Sequence, residues 1–209
     1  MNKIPTKKLE NRQFRPMQPL EVRQGKEDTE SDFLVSGYAM KYESYQLYED
    51  RNGPVFEEFK RNAFNNSDMD DVIMLYDHQG KVLARTSNDT LKVTLDDVGM
   101  FIEADLSKSR AAKEMYEEIQ AGLVTRMSWS FMTGDYHFDK ESRTIVHDSI
   151  KKVYDVSAVG IPANQDTNIN ARKFVDGVIN KFETERFQEQ EKRKKLQLKI
   201  KLEMETNNE

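Results

Sequence analysis

Alternating apolar and polar residues run through the middle of the chain. A period of two is typical of β-strands that bury one face, and a short apolar run is typical of a strand buried on both faces. These patterns predict one strand in each of four segments: FLVSGYAMKY (33–42), DVIMLYDH (71–78), MSWSFMT (127–133) and TIVHDSIKKVYDVSAVGI (144–161).

Three other segments predict a hairpin, a helix and a mixed element. TLKVTLDDVGMFIEADL (90–106) has two alternating runs around 96–99, which is the pattern of a hairpin. VFEEFKRNAF (55–64) predicts a short strand or turn that enters a helix. SRAAKEMYEEIQAGL (109–123) predicts a helix with Gly122 as its C-cap. The apolar residues at helical spacing in it are Ala112, Met115, Tyr116 and Ile119.

These elements predict three regions along the chain. Many strands and few helices favour an α+β domain at 32–170, built on a mostly antiparallel, barrel-like sheet. Residues 1–31 are polar and contain three prolines, which predicts a flexible arm with one short edge strand at 20–23. Residues 171–209 predict a charged, helical tail, although the alternation in LQLKIKLEM (196–204) also allows a strand.

Charge and hydropathy exclude several classes of protein. The chain of 209 residues has 32 Lys and Arg against 37 Asp and Glu, a net charge of −5. This balance argues against a nucleic-acid partner, which normally requires a basic surface. No segment approaches the roughly 18 apolar residues of a membrane span. The basic N-terminus has no apolar stretch behind it, so we expect no secretory signal and a cytoplasmic protein.

Most kinds of catalytic chemistry lack the residues that they need. Without cysteine, there are no disulfides, thiolate metal sites or cysteine nucleophiles. The sequence has no glycine-rich phosphate loop, no H-E-x-x-H motif and no histidine pair at metal-ligand spacing. We therefore expect no cofactor and no metal. Hydrolysis by serine, histidine and a carboxylate is the chemistry that remains.

His78 is the first candidate for that chemistry. It follows an apolar strand and precedes Gln79 and Gly80, so its ring is expected at a strand end beside a mobile loop. A general base is well placed there. The alternative is a turn histidine that only caps the end of the strand.

A serine pair and one aspartate complete the candidate set. Ser128 and Ser130 share one face of a strand whose other face carries the large apolar residues of MSWSFM. That serine face lines either a cleft or ordinary solvent. Asp155 interrupts an otherwise apolar strand, where a buried carboxylate is costly unless it is paired. A histidine partner would satisfy it; the alternative is an edge-strand aspartate that faces water.

Four groups of motifs stand in order along the chain: SGYAMKY (36–42) with RNAF (61–64), the stretch 72–106, AGLVTRMSWSF (121–131), and VYDVSAVGIPANQDTNI (153–169). Together they resemble the head-maturation (prohead) proteases of tailed bacteriophages, which are serine proteases related to the assembly protease of herpesviruses. The third segment is similar to the family pattern G-x-[VIL]-x-x-[ML]-S-[FIVW]-x-F, and the fourth to [ED]-V-S-x-V-x-x-P-A-x-x-x-[TA]. Asn62 and Ser130 stand where many members have glycine.

The resemblance assigns roles to the candidate residues. It implies that His78 is the general base and Ser128 the nucleophile, with Asp155 as the third member. Because the herpesvirus relative uses a second histidine as third member, Asp148 and His147 are fallback candidates.

The resemblance also implies a fold like that of the herpesvirus assembly protease. It does not fix the position of the oxyanion hole in this sequence. Backbone N–H groups at 160–164 are our first candidates for it, and Arg126 is the second.

The implied function is a serine endopeptidase that cleaves phage scaffold and major capsid proteins, and itself, inside the assembling procapsid in the host cytoplasm. The resemblance allows a homodimer. The charged tail either binds scaffold or shell, is removed by self-cleavage, or is a solvated helix without a partner. The alternatives to the protease are a catalytically inactive scaffold or assembly protein that retains the fold and, last, a hydrolase of esters or small amides.

Overall fold

The structure is a computed structural model that describes residues 12–19, 21–22, 32–160, 184, 187–197 and 199. The chain divides into two compact units, Met1–Ala171 and Arg172–Glu209. In the described part of the first unit, the one α-helix is α1, Arg110–Gln120, and short 3₁₀ turns span Arg61–Phe64, Thr86–Asn88 and Leu106–Lys108. The strands are β1 Gln13–Pro19, β2 Glu21–Val22, β3 Leu34–Lys41, β4 Tyr45–Asp50, β5 Gly53–Phe59, β6 Ile73–Tyr76, β7 Gln79–Arg85, β8 Leu91–Leu95, β9 Gly99–Asp105, β10 Arg126–Thr133, β11 Tyr136–Asp139, β12 Thr144–His147 and β13 Ile150–Val159.

The strands form three sheets. The first sheet has the order β1-β10-β13-β6-β7, the second β11-β12-β5-β4, and the third β2-β3-β9-β8. The pairs β12–β5 and β13–β6 are parallel, and the other pairs are antiparallel. This mostly β arrangement with few helices is consistent with the predicted α+β class. The described strands form no closed barrel, because each sheet ends in two edge strands and none closes on itself.

Most strands lie where alternation predicts them, and one segment holds two strands instead of one. β3, β6 and β10 confirm their predictions. Segment 144–161 splits into β12 and β13, which belong to different sheets. The chain changes sheet at Asp148 and Ser149, whose N–H groups both donate to the carbonyl of Asp135. The three consecutive polar residues His147, Asp148 and Ser149 interrupt the alternation at this point, and the prediction of a single strand missed that signal.

The predicted hairpin and helix are both confirmed. β8 and β9 pair as an antiparallel hairpin, in which the Asp96 carboxylate accepts from the Gly99 N–H at 2.9 Å. Helix α1 begins after Ser109, whose hydroxyl accepts from the Ala112 N–H, a typical N-cap. Gly122 follows the last turn with φ +73°, a left-handed conformation that favours glycine. The other mixed segment, 55–64, contains most of β5 and one 3₁₀ turn.

One hydrophobic cluster joins the three sheets and α1. Its centre includes Trp129 and Phe131 of β10, whose rings stack with centroids 4.2 Å apart, and Phe59 of β5, whose ring lies edge-on to Trp129. All three are at most 1% exposed. Burial of each side chain contributes about 2–3 kcal/mol, so this face of β10 is held firmly in place.

The predicted arm contains two strands, β1 and β2, and the sequence predicted only the second of them. β1 pairs with β10 along the edge of the first sheet, with Phe14 opposite Ser130 and Arg15 opposite Trp129. β2, at Glu21–Val22, pairs with β3 at the edge of the third sheet, within the short edge strand predicted at 20–23. β1 is therefore held by a strand more than a hundred residues later, and β2 is held by the next strand along the chain. In the second unit, residues 187–197 are helical.

Candidate active site

The first sheet brings the candidate serine and aspartate together. β10 lies between β1 and β13, and in this register Ser128 is opposite Ser157 while Ser130 is opposite Asp155. Directly opposed residues point to the same face of a sheet. The four side chains therefore share one face of β10 and β13, and the aromatic residues of the core occupy the other face.

A tight turn positions His78 over that face. Asp77 and His78 are the two residues between β6 and β7, and both have positive φ, 46° and 60°. This is the conformation of a type I′ hairpin turn. The Asp77 N–H donates to the carbonyl of Ala158 at 3.0 Å, which ties the turn to β13. The expected mobile loop after His78 is wrong, since β7 begins at the next residue.

The His78 ring bridges Ser128 and Asp155. Its Nδ1 lies 2.6 Å from Oδ1 of Asp155, and its Nε2 lies 2.6 Å from Oγ of Ser128. An ionised carboxylate only accepts hydrogen bonds, so Nδ1 donates to Asp155, and in a neutral ring Nε2 then presents its lone pair to the serine hydroxyl. The His78 side chain is 14% exposed, whereas Asp155 is fully buried. This arrangement can remove a proton from Ser128 and stabilise the positive charge that results.

Four donors surround the Asp155 carboxylate. Oδ1 accepts from His78 and from the Ser157 hydroxyl at 2.6 Å, and Oδ2 accepts from the Ser130 hydroxyl and from Nη2 of Arg12. Burial disfavours the charged form, but His78, Ser130 and Ser157 outweigh it and lower the pKa of Asp155 below its usual 3.8. The aspartate is therefore a buried anion with its hydrogen-bonding capacity filled.

The structure decides between several of the alternative interpretations. Asp155 is not an edge-strand residue facing water, because β13 lies inside the sheet and the side chain is 0% exposed. The two serines do not face open solvent either: Ser128 is 3% and Ser130 0% exposed. His78 does lie in a turn, but its ring is bonded to Ser128 and Asp155. The catalytic roles of these residues stay a prediction.

The fallback candidates lie elsewhere. His147 is fully buried on β12 and bonded to Glu57, while Asp148 is on the surface and bonded to His137. Neither contact involves His78. Of the two serines, Ser128 is the one at hydrogen-bonding distance from the imidazole, and Ser130 donates to Asp155 instead.

The oxyanion-hole candidates are only partly described. Residues 161–164 lie outside the described residues, and Gly160 directly follows β13. Arg126 is exposed and stands two residues before Ser128 on β10, hence on the same face of the strand. Both candidates stay predictions.

Three residues at the site are missed by sequence reasoning: Arg12, Phe14 and Ser157. Ser157 could have been found by alternation, because it stands two residues after Asp155 in a strand. Arg12 and Phe14 carry no such signal, because they enter the site only through the pairing of β1 with β10. The ring of Phe14 lies edge-on to His78, with centroids 4.7 Å apart.

Neither a metal site nor a membrane span is found in the part of the chain that the structure describes. No three His, Asp or Glu side chains there converge as metal ligands would. No described helix combines the length and the apolar character needed to cross a membrane.

A buried carboxylate hydrogen-bonded to an imidazole, which is in turn hydrogen-bonded to a hydroxyl, is the arrangement that serine hydrolases use. Residues 18–181 match the family model described as caudovirus prohead serine protease, and the chain belongs to that family. The match includes His78, Ser128 and Asp155, and it starts after Arg12 and Phe14. No curated protein and no solved structure matches the chain.

Proposed function

We propose that the chain is a serine endopeptidase with Ser128 as nucleophile, His78 as general base and Asp155 as the residue that orients His78. The observation that carries the proposal is the His78 ring, hydrogen-bonded to Ser128 on one nitrogen and to Asp155 on the other. Membership of a serine protease family supports it.

The geometry suggests the order of proton transfers. Nε2 of His78 takes the proton of Ser128 as Oγ attacks the carbonyl carbon of a peptide, and Asp155 stabilises the imidazolium. When the tetrahedral intermediate collapses, the imidazolium protonates the leaving amine and the C–N bond breaks. Water, deprotonated by His78, then hydrolyses the ester on Ser128, and the hydroxyl regains its proton.

The family indicates where this chemistry is used. A prohead protease acts on procapsid proteins in the assembling shell, within the host cytoplasm. We propose the scaffold protein, the major capsid protein and the chain itself as substrates. Peptide chains crowded inside a shell supply substrate at high local concentration, which suits an enzyme of weak intrinsic affinity.

Covalent labelling of the full chain with a fluorophosphonate tests the nucleophile without requiring the natural substrate. In the labelling reaction the Ser128 Oγ–P bond forms, the P–F bond breaks, and His78 takes the hydroxyl proton. The measurement is intact mass followed by peptide mapping. We expect one adduct on Ser128, none in Ser128→Ala, and a retained adduct in Ser130→Ala.

Co-expression with the phage's scaffold and capsid proteins tests the substrates. Cleavage of either protein by the wild type and by Ser130→Ala, but not by Ser128→Ala, is the expected result. An adduct on Ser130, or cleavage that survives Ser128→Ala, would contradict the assignment of the nucleophile. Labelling without cleavage of either protein would leave a serine hydrolase with another substrate.

A further inference from the structure

Arg12 touches the candidate catalytic carboxylate from the side opposite His78. Its Nη2 donates to Oδ2 of Asp155, and its Nε donates to Oγ of Ser130 at 2.8 Å. The Ser130 hydroxyl in turn donates to the same Oδ2. Arg12 therefore reaches one oxygen by two routes, directly and through Ser130.

We infer that Arg12 is a positioning residue of the active site, which with Ser130 holds the Asp155 carboxylate in the orientation that His78 needs. The inference rests on the proposed function and extends it to a residue that precedes the stretch matching the family, 18–181. Arg12 does not meet the reacting atoms; it acts through Asp155.

Holding Oδ2 matters because a carboxylate rotates. Oδ1 serves His78 and Ser157, and Oδ2 serves Ser130 and Arg12, so the present orientation satisfies all four acceptor positions. Without the donors on Oδ2, the carboxylate can rotate, and Oδ1 is no longer held against Nδ1 of His78. A misplacement of about 1 Å in a catalytic group can cost about 100-fold in rate.

The local structure holds the Arg12 guanidinium in place. The guanidinium lies over the rings of Tyr154 and Phe14, at 4.9 and 5.5 Å from their centroids. Phe14 also packs edge-on against His78. Arg15 anchors the same segment on the opposite face of the sheet, where it is bonded to the buried Glu57. One short segment therefore contacts the site and is bonded to the core.

The test compares Arg12→Ala and Arg12→Lys in the full chain with Arg143→Ala as matched control. Arg143 also pairs with an aspartate, Asp50, and its side chain is 25% exposed against 36% for Arg12. We expect Arg12→Ala to slow fluorophosphonate labelling of Ser128 by about ten- to a hundredfold. Arg12→Lys keeps one charged donor but loses the paired N–H groups of the guanidinium, so its labelling rate should lie between those of the wild type and Arg12→Ala. Arg143→Ala should label at the wild-type rate.

A double-mutant cycle separates this role from a general loss of stability. Arg12 and Ser130 act on the same oxygen. The double variant Arg12→Ala with Ser130→Ala should therefore be labelled at most about twofold more slowly than the slower of the two single variants. Losses that multiply would contradict the shared action. Thermal unfolding of each variant shows whether a slow variant is folded at the temperature of the assay.

Nuclear magnetic resonance of ¹⁵N-histidine supplies a readout that does not depend on activity. The His78 signal, assigned by its absence in His78→Gln, should show the Nδ1–H tautomer in the wild type and a mixture of tautomers in Arg12→Ala. Wild-type tautomer and labelling rate in Arg12→Ala would overturn the inference, as would slow labelling with an unchanged tautomer. If the wild type itself is not labelled, the proposed function fails, and the tautomer still tests Arg12.

Discussion

Two buried carboxylates lie on opposite sides of the first sheet, and they are surrounded by the same kinds of side chain. Asp155, on the serine face, is bonded to a histidine, an arginine and two hydroxyls. Glu57, on the Trp129 side, is bonded to His147, Arg15 and the hydroxyl of Tyr45. We refer to these groups as the Asp155 cluster and the Glu57 cluster.

The Glu57 cluster even repeats the order of a catalytic triad. Nε2 of His147 lies 2.8 Å from Oε1 of Glu57, and its Nδ1 lies 2.7 Å from the hydroxyl of Thr133. Burial disfavours the charge on Glu57, but Arg15 and His147 outweigh it and lower the pKa of Glu57 well below its usual value. Hydroxyl, imidazole and carboxylate thus recur in one molecule with similar distances.

Access is what separates the two clusters. The ring of His147 is stacked on Phe59, with centroids 4.6 Å apart, and is 0% exposed. The ring of His78 sits on a turn at the sheet surface and is partly exposed. No peptide could reach His147 without opening the core. The Glu57 cluster therefore has a structural role, in which its hydrogen bonds join β1, β5 and β12. Triad geometry alone does not define an active site.

Exchanging the histidine of each cluster for glutamine should give the largest difference in cleavage rate between the two clusters. His78→Gln removes the proposed base, and we expect cleavage to fall by about 10⁴-fold, with little change in thermal stability. His147→Gln retains an N–H donor that can reach Glu57, so we expect near wild-type cleavage below its melting temperature. The measurement is the cleavage rate of the capsid or scaffold protein at several temperatures. A folded His147→Gln protein as slow as His78→Gln would reverse the assignment.

Neutralising the carboxylate of each cluster should reduce stability more in the Glu57 cluster than in the Asp155 cluster. Glu57→Gln leaves Arg15 charged and 2% exposed, and breaking such a buried pair costs about 3–5 kcal/mol in the free energy of unfolding. Asp155→Asn leaves Arg12, whose side chain is 36% exposed and can return to water, so a loss of about 1–2 kcal/mol is expected. Urea unfolding at pH 7 measures both. Equal losses would show that Arg12 cannot return to water and is held in the folded protein as firmly as Arg15.

Much of the Asp155 cluster was predictable from sequence, because its residues follow local rules. Alternation places Ser128 and Ser130 on one face, and an aspartate within an apolar strand indicates a buried, paired carboxylate. The tight turn at Asp77 and His78 was not predictable, because neither residue is a glycine and Gly80 suggested a longer loop. The distances between the three candidate residues required the register of β10, β13 and β6.

The Glu57 cluster and Arg12 could not be predicted, because they depend on pairing between distant segments. Residues 12–15 read as a polar arm until β1 is placed beside β10, more than a hundred residues later. Glu57 stands in VFEEF between Val55 and Phe59, so alternation places it on the apolar face of β5. Its partners Arg15 and His147 carry no local signal, because they reach it only by tertiary contact.

Acid should weaken the fold through the same carboxylates. The pKa of Glu57 is lowered in the folded state, so its contribution to stability is complete above its usual value of 4.5 and is lost as the pH falls through the lower folded pKa. Below about pH 4.5, the free energy of unfolding of the wild type, measured with urea, should therefore fall by up to about 1.4 kcal/mol per pH unit for each proton taken up. Glu57→Gln should flatten this dependence. An unchanged slope would show that other carboxylates cause the acid sensitivity.

The smallest effect is expected at the third histidine–carboxylate pair, which extends the comparison to the surface. His137 Nδ1 lies 2.6 Å from Oδ2 of Asp148, with side chains 46% and 33% exposed. Lys60 and His137 outweigh partial burial and lower the pKa of Asp148, but water screens such exposed pairs. Asp148→Asn should change the free energy of unfolding by less than about 1 kcal/mol and leave the cleavage rate unchanged.

That result would rank the three histidine–carboxylate pairs by burial and by access, and not by distance. The pairs are similar in distance, at 2.6 Å for His78 and His137 and 2.8 Å for His147, so distance cannot decide which one is functional. Burial of the carboxylate distinguishes Asp155 and Glu57 from Asp148, and only the ring of His78 combines a buried carboxylate with an edge open to substrate. A strong loss of cleavage in Asp148→Asn, measured beside Asp155→Asn, would break this reasoning by making an exposed pair catalytic.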